Sequence, residues 1–260
     1  MKGLEALFEP TEEKLQPSSM LLYGYPKVGK TIIAAGLPGD TLILDFERGT
    51  DYIKSVNGKP FRHRKVVKDY KDVINVIRYL ADNQIKLNFL VIDSLTEAME
   101  TVINQLAVKE ANKSRNTPLP LDFDVTHLPY GAGQKYKKKV FNKLHDNFRQ
   151  VADTVVYLGH VAEKYISEVD VGAPATGVDI EGRLANLVLA KTDVNGLIRR
   201  ASDTTNVLDF DQTAAVAGTR FSRLKHEYVI SEMEDDTKFV VNWHEVFPHL
   251  SKNPTIVEIY

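Results

Sequence analysis

The chain has 260 residues, 43% hydrophobic and 26% charged, with 15 Gly, 11 Pro and no Cys, which excludes a collagen, a wholly disordered chain and a disulfide scaffold. Lys and Arg number 33 against 35 Asp and Glu, a formal net charge of -2 that excludes a globally basic nucleic-acid coat but leaves room for a local basic face. Without cysteine there is no thiolate zinc site and no Cys nucleophile, and a reducing compartment suits the chain.

Residues 1–17, acidic and broken by Pro10 and Pro17, read as an arm or short helix ahead of a single domain over 18–260. They lack an apolar signal core, and no apolar run approaches the ~18 residues that span a bilayer. The expected location is therefore the cytoplasm, with no membrane partner. Met20 to Tyr23 is the first β-rich apolar run. It leads into Gly24-Tyr25-Pro26-Lys27-Val28-Gly29-Lys30-Thr31, then Ile32 and a short helix over Lys30 to Gly36 stopped by Gly36 and Pro38. A glycine-bounded loop ending in Lys-Thr between strand and helix suits polyphosphate. Its backbone N–H groups wrap the anion, Lys30 reaches the outer phosphates, and the Thr31 hydroxyl can ligate Mg²⁺.

Thr41 to Asp45 is a second strand, continued by Phe46 and Glu47. Alternation places Asp45 and Glu47 on one side, where a carboxylate can orient or deprotonate a water; the bland alternative is a solvated strand end turning at Glu47 to Thr50. His63 to Val67 reads as a strand and Asp69 to Asp82 as a helix carrying Val73, Ile74, Ile77 and Leu80. Phe89 to Asp93 is a strand whose terminal Asp93, given the loop, suits the Mg²⁺ side of a nucleotide site. Leu95 to Ala111 and Gln134 to Val151 read as helices, and Thr154 to Gly159 as a strand ending at His160. From about residue 186 the runs Leu187 to Ala190, Gly196 to Ala201, Val207 to Phe210, Tyr228 to Ser231 and Lys238 to Trp243 read as strands. Asn195-Gly196 signals a hairpin. The class is α/β, with a mostly parallel sheet flanked by helices and an antiparallel C-terminal β extension.

In order, loop, strand ending Asp45-Phe46-Glu47, strand ending Asp93-Ser94 and strand ending His160 resemble the RecA-like P-loop NTPase core, and more narrowly the small bacteriophage AAA or nucleotide-binding ATPases that include single-strand annealing recombinases. The resemblance covers roughly residues 18–225 and implies an ATPase using ATP and Mg²⁺, with Glu47 as base and His160 as γ-phosphate sensor. It further implies single-stranded DNA as partner in phage recombination or replication, a homo-oligomeric ring or filament, a single-strand-binding protein as a further partner, and the cytoplasm of an infected bacterial host. A neighbour's basic residue would complete each site, with Arg220, Arg223, Lys164 and Lys191 as candidates.

Residues 135–149 carry net +5 and leave -7 on the rest. Lys135, Lys137, Lys138, Lys139 and Lys143 are either a DNA-backbone contact, with Tyr130 or Tyr136 stacking on bases, or a solvated helix face. They follow an irregular interval, Lys109 to Gly133. A second interval, Lys164 to Arg183, is glycine-rich and acidic. Two enzyme alternatives stay open. Ala190-Lys191-Thr192-Asp193 is close to a guanine-reading N-K-x-D and suggests a GTPase, while a small-molecule kinase lacks an evident basic lid. A nucleotide-gated binding or assembly module with little or no hydrolysis is the alternative from outside the enzymes.

Overall fold

The computed structural model describes residues 14–165, 174–210 and 217–260. Most of the expected arm lies outside the described residues, as do Glu168, Asp170 and Gly172 of the second interval. Gln16 and Pro17 are bound to the body: Gln16 Nε2 donates to Thr154 Oγ1 at 2.9 Å, and that hydroxyl donates to the Pro17 carbonyl at 2.6 Å.

The first half alternates strand and helix. β1 (Ser19–Gly24), buried at every residue, leads into α1 (Lys30–Ala35), then β2 (Thr41–Asp45). A hairpin of β3 (Ile53–Val56) and β4 (Lys59–Pro60) follows, then β5 (Arg64–Val66). In α2 (Tyr70–Asp82) the Asp69 carboxylate caps the first turn, accepting from the Lys71 and Asp72 N–H groups. β6 (Leu87–Asp93) runs into α3 (Leu95–Ala98), a π-helical turn over Met99–Ile103 and α4 (Asn104–Asn112). α5 (Ala132–Val151) buries Val140, Phe141, Leu144, Phe148 and Val151 at helical spacing and feeds β7 (Ala152–Tyr165), which turns back as β8 (Pro174–Val178). α6 (Gly182–Lys191) and β9 (Val194–Arg200) complete this half. Then come β10 (Thr205–Asp209), β11 (Gly218–Thr219), β12 (Glu227–Asp235), β13 (Lys238–Val241), α7 (Trp243–Val246) and β14 (Thr255–Ile259).

The strand order is β4-β3-β14-β13-β12-β10-β9-β1-β7-β6-β2-β5, with β11 on β9 and β8 on β7. Among the described residues only β5, β2, β6, β7, β1 and β9 pair in parallel; the other pairings are antiparallel. The sheet is thus mixed, and the expectation of a mostly parallel one holds for the half from β5 to β9 alone.

Chain length forces this sheet to curl. β4 and β5 are its two ends, eleven strand spacings apart, or about 53 Å if flat. Yet Pro60 and Arg64 are joined by three residues, whose reach is at most about 14 Å. The ends therefore meet around α1. Buried residues from β1, β2, β3, β6, β7, β9, β10, β12, β13 and β14 form one core with Ile33, Ala34 and Ala35 of α1. Trp243 Nε1 donates to the Ile33 carbonyl at 2.7 Å, satisfying an indole that would be costly to bury unpaired. The outer face carries a second core under α2 to α6.

Two turn and strand expectations are corrected. Leu187 to Ala190 lies in α6, where Leu184, Ala185 and Val188 are buried; four apolar residues do not distinguish strand from helix. Asn195-Gly196 lies inside β9 rather than at a turn. A Cβ on Gly196 would fall 2.7 Å from the Phe210 ring and 2.8 Å from Leu208, so this glycine makes room for side chains. The Asn-Gly pair that does turn is Asn57-Gly58 between β3 and β4, with φ of 49° and 71°. Among the described residues no helix is long and apolar enough to cross a membrane.

His145 is buried, its Nδ1 2.8 Å from the Tyr157 hydroxyl. Burial, aided by Arg149, pushes its pKa down to about 4 from 6.5. The unfolded chain binds the proton first on acidification, so stability is complete above pH 6.5 and declines toward pH 4. Between pH 7.5 and 5 the wild type should lose about 2 kcal/mol more than His145→Gln in urea unfolding. Parallel pH profiles would contradict this.

Candidate functional site

Gly24 ends β1 beside β9, where a Cβ would lie 2.6 Å from the Ile198 carbonyl oxygen. Only glycine lets the loop leave there. Val28 is buried and its N–H donates to the Tyr25 carbonyl at 3.3 Å; Gly29 takes φ 92° at the start of α1. Tyr25, Pro26 and Lys27 stay exposed and Ile32 is half-buried. Lys30 is buried, and its ammonium donates to the Gly24 and Tyr25 carbonyls at 2.9 and 3.0 Å. Burial lowers its pKa, against the opposing pull of Asp93 and Glu47.

Parallel register brings the remaining groups to the same level. Asp45 pairs with Asp93 and Asp93 with Leu158, while Gly24 pairs with His160. β7 thereby stands between the loop strand and the Asp93 strand. The Thr31 hydroxyl donates to Asp93 Oδ2 at 2.6 Å. Burial pushes Asp93 up to about 6, with the Thr31 bond opposing and the charges of Asp45 and Glu47 adding to the rise.

Asp45 and Glu47, expected on one side of the strand end with one of them able to act on a water, do different work. Asp45, fully buried, accepts from the Thr50 N–H at 3.0 Å, the Thr50 hydroxyl and the Glu47 N–H at 3.2 Å. It holds the turn. Glu47 lies past the end of β2 and faces outward, its Oε1 accepting from the Ser94 hydroxyl and from His160 Nε2 at 2.9 Å. Burial raises its pKa, but these two donors and Lys30 outweigh that and hold it below the ordinary glutamate value. The His160 backbone N–H donates to the Thr96 hydroxyl at 3.3 Å. Gly49 keeps this turn against the loop, since a Cβ there would sit 2.9 Å from the Thr31 hydroxyl.

A cleft of about 380 Å³ takes in Lys27, Gly29, Lys30, Thr31, Glu47, Asp93 and His160. Tyr52, Ile53 and Ile259 form its apolar side. None of these three was found from sequence: Tyr52 had a signal, an aromatic five residues past Glu47, whereas Ile259 reaches the cleft only because β14 pairs with β3. Also unforeseen is Arg200 at the end of β9, whose guanidinium donates to the Lys27 carbonyl at 3.4 Å. Among the described residues no set of three or more His, Asp or Glu forms a self-sufficient metal cage. The donors fit Mg²⁺, which takes one or two hard protein oxygens and completes its shell with water and phosphate. Thr31 and Asp93 would hold it. A cation would also relieve the crowding of three carboxylates, which adds to the rise that burial imposes on Asp93.

The basic run divides. Lys137 is buried, its ammonium 3.8 Å from Glu100, beside a cavity of about 210 Å³ that includes Thr96, Asp179 and Glu181. It is not a polymer contact. α5 packs one face on the core, and Lys137 falls on that face with Val140 and Leu144. Lys135, Lys139 and Lys143 are exposed, and Lys138 half-buried; Lys139 pairs with Glu110. Tyr130 is fully exposed with φ 58°, whereas Tyr136 packs against the core.

Arg220 donates to the Ala190 carbonyl at 3.1 Å at the end of α6, next to Lys191. Arg223 is exposed in the turn before β12, and the side chain of Lys164 lies outside the described residues. The Lys191-Thr192-Asp193 stretch is corrected as a base reader. The Asp193 carboxylate accepts from the Ser18 N–H at 2.9 Å, at the start of β1 and β9, a strand length of about 17 Å from the loop.

The profile of a family described as AAA domain matches residues 16–221, from the entry into β1 to just past β11. No curated protein matches the chain.

Lys137→Ala should cost about 2 to 3 kcal/mol in urea unfolding, because it removes a buried stem and leaves a void, while Lys139→Ala should change stability by less than about 1 kcal/mol. Equal losses would place Lys137 on the surface after all.

Proposed function

The chain belongs to the AAA domain family of nucleotide-binding ATPases, and from that premise we propose that it hydrolyses ATP with Mg²⁺ in the cleft between β1, β2, β6 and β7. The observation that carries the reading is the meeting of Lys30, Thr31, Asp93 and Glu47 on one 380 Å³ cleft. Residues 24–32 cradle the phosphates. Lys30, already pointing along the loop, exchanges the Gly24 and Tyr25 carbonyls for phosphate oxygens and offsets charge that develops there. Thr31 and Asp93 hold Mg²⁺, which supplies charge neutralisation at the phosphates.

Glu47 is the general base. Its bonds to Ser94 and His160 both fall on Oε1, so Oε2 is the oxygen available to a water. The depressed pKa keeps it ionised at neutral pH. Ser94 and His160 orient it, and His160 is also the group through which β7 senses the γ-phosphate. Tyr52, Ile53 and Ile259 offer the base an apolar wall.

For the polymer, the reading is single-stranded DNA. It is supported by Tyr130, an exposed aromatic five residues before exposed Lys135 in the chain, and by the β7 and β8 hairpin that begins next to His160. Arg220 and Lys191 lie at the strand-start end, opposite the cleft. Either one acting in a neighbour's site requires a head-to-tail contact, which closes as a ring or continues as a filament. Annealing or recombination of phage DNA fits such an assembly.

Glu47→Gln should retain ATP binding while turnover falls by ~100-fold or more. Measuring ATP affinity and phosphate release side by side, with and without single-stranded DNA, checks this; undiminished release would remove Glu47 from the reaction.

A further inference from the structure

A second cavity, also about 380 Å³, opens at the far end of α1, where the two ends of the curled sheet are joined. Its apolar wall comes from Leu37, Phe61 and Leu250 and its polar wall from Thr41, Lys59 and His63. Among the described residues no carboxylate lines it. Lys59 and His63 are exposed, and the Phe61 and His63 rings lie 6.4 Å apart. Thr41 is buried at the wall with a hydroxyl that has no partner among the described residues.

We propose that this cavity binds a small organic anion made of an aromatic ring and one carboxylate or phosphate. The size is within the range of ligand pockets, and an apolar hollow with a few convergent polar groups is their usual make-up. The ring would lie against Phe61 and Leu250, both half-buried, over the buried Leu37. Lys59 supplies a cation and His63 an imidazole, and among the described residues of the lining no carboxylate opposes them. An anionic head placed beside Lys59 and His63 gains charge-assisted hydrogen bonds, whereas a cationic or neutral head gains none. The occupant would rest on Ala35, Val56 and Thr255. These are the far ends of α1, β3 and β14, whose near ends present Thr31, Ile53 and Ile259 to the nucleotide cleft.

The test is a titration of the full chain with N-acetylphenylalanine, phenyl phosphate and the neutral N-acetylphenylalanine amide, followed by amide NMR shifts. Either anion should move the signals of Phe61, His63 and Leu250, and the tighter of the two names the head group. The neutral amide should bind at least about fivefold more weakly, the size of one partly solvated charge contact. Lys59→Ala, an exposed position, should weaken the anions by a similar factor and leave the neutral amide unchanged. The proposal fails if these signals do not move at millimolar probe, if acid and amide bind alike, or if phenyl phosphate moves only residues 24–31.

Discussion

Three carboxylates and one ammonium are driven together where the parallel strands end, because register leaves Asp45, Asp93 and the loop at one level. The chain copes with this excess of buried negative charge unequally. Asp45 is surrounded by donors from its own turn and serves as an anchor. Asp93 has the Thr31 hydroxyl, and is pushed up to about 6. Two aspartates adjacent on paired strands thus differ in what they can do, and the difference comes from the number of N–H and O–H groups each is given. Glu47 is partly solvated and doubly hydrogen-bonded, so it alone combines a stable charge with access to the cleft.

The antiparallel flank gives that charged edge its opposite wall. β3 follows β2 in the chain but lies beyond β14 in the sheet, so the turn that carries Glu47 has to cross from one sheet end toward the other. In crossing, it brings Gly49 against Thr31 and Tyr52 and Ile53 into the cleft. A flat sheet of the same strands would leave Lys30 and Asp93 facing water on one side. The curl also explains why α1 is so short and yet so buried: it is the filling of the wrap, with Gly36 pressed against Val241, where a Cβ would fall 2.6 Å from its side chain.

The loop was legible in the sequence because its chemistry is local: glycines, lysine and threonine in one octet act on one another's backbone. Asp93 was legible as a strand end because it closes an apolar run, and Glu47 and His160 as the polar residues that follow one; the expected strand end at His160 is corrected, since β7 carries on through it to Tyr165. What Asp45 does was not, because its partner Thr50 lies in a turn that alternation does not describe. Lys137 was misjudged for a similar reason. A run of lysines shows charge but not which of its members faces the core, and that depends on how α5 is rotated against Val125 and Leu128. The two Asn-Gly pairs make the point again: identical dipeptides, one turning at Asn57-Gly58 and one extended at Asn195-Gly196, are separated by what packs over them. Ile259 had no local signal whatever.

β3 and β14 are paired across about 200 residues of chain, Ser55 donating to Glu258, and the ends of the sheet are sealed by the three residues between β4 and β5. A high proportion of such distant pairings makes for slow folding, because loop entropy is lost before the contact repays it. During synthesis at roughly 5–20 residues per second, the loop, Asp93 and Glu47 all emerge well before the strand that walls their cleft. For some ten seconds or more the nascent chain would own its phosphate loop without the apolar side of the cleft. Helix α1 would meanwhile lie in an open trough of strands, its Ile33 face waiting for Trp243 and Phe247.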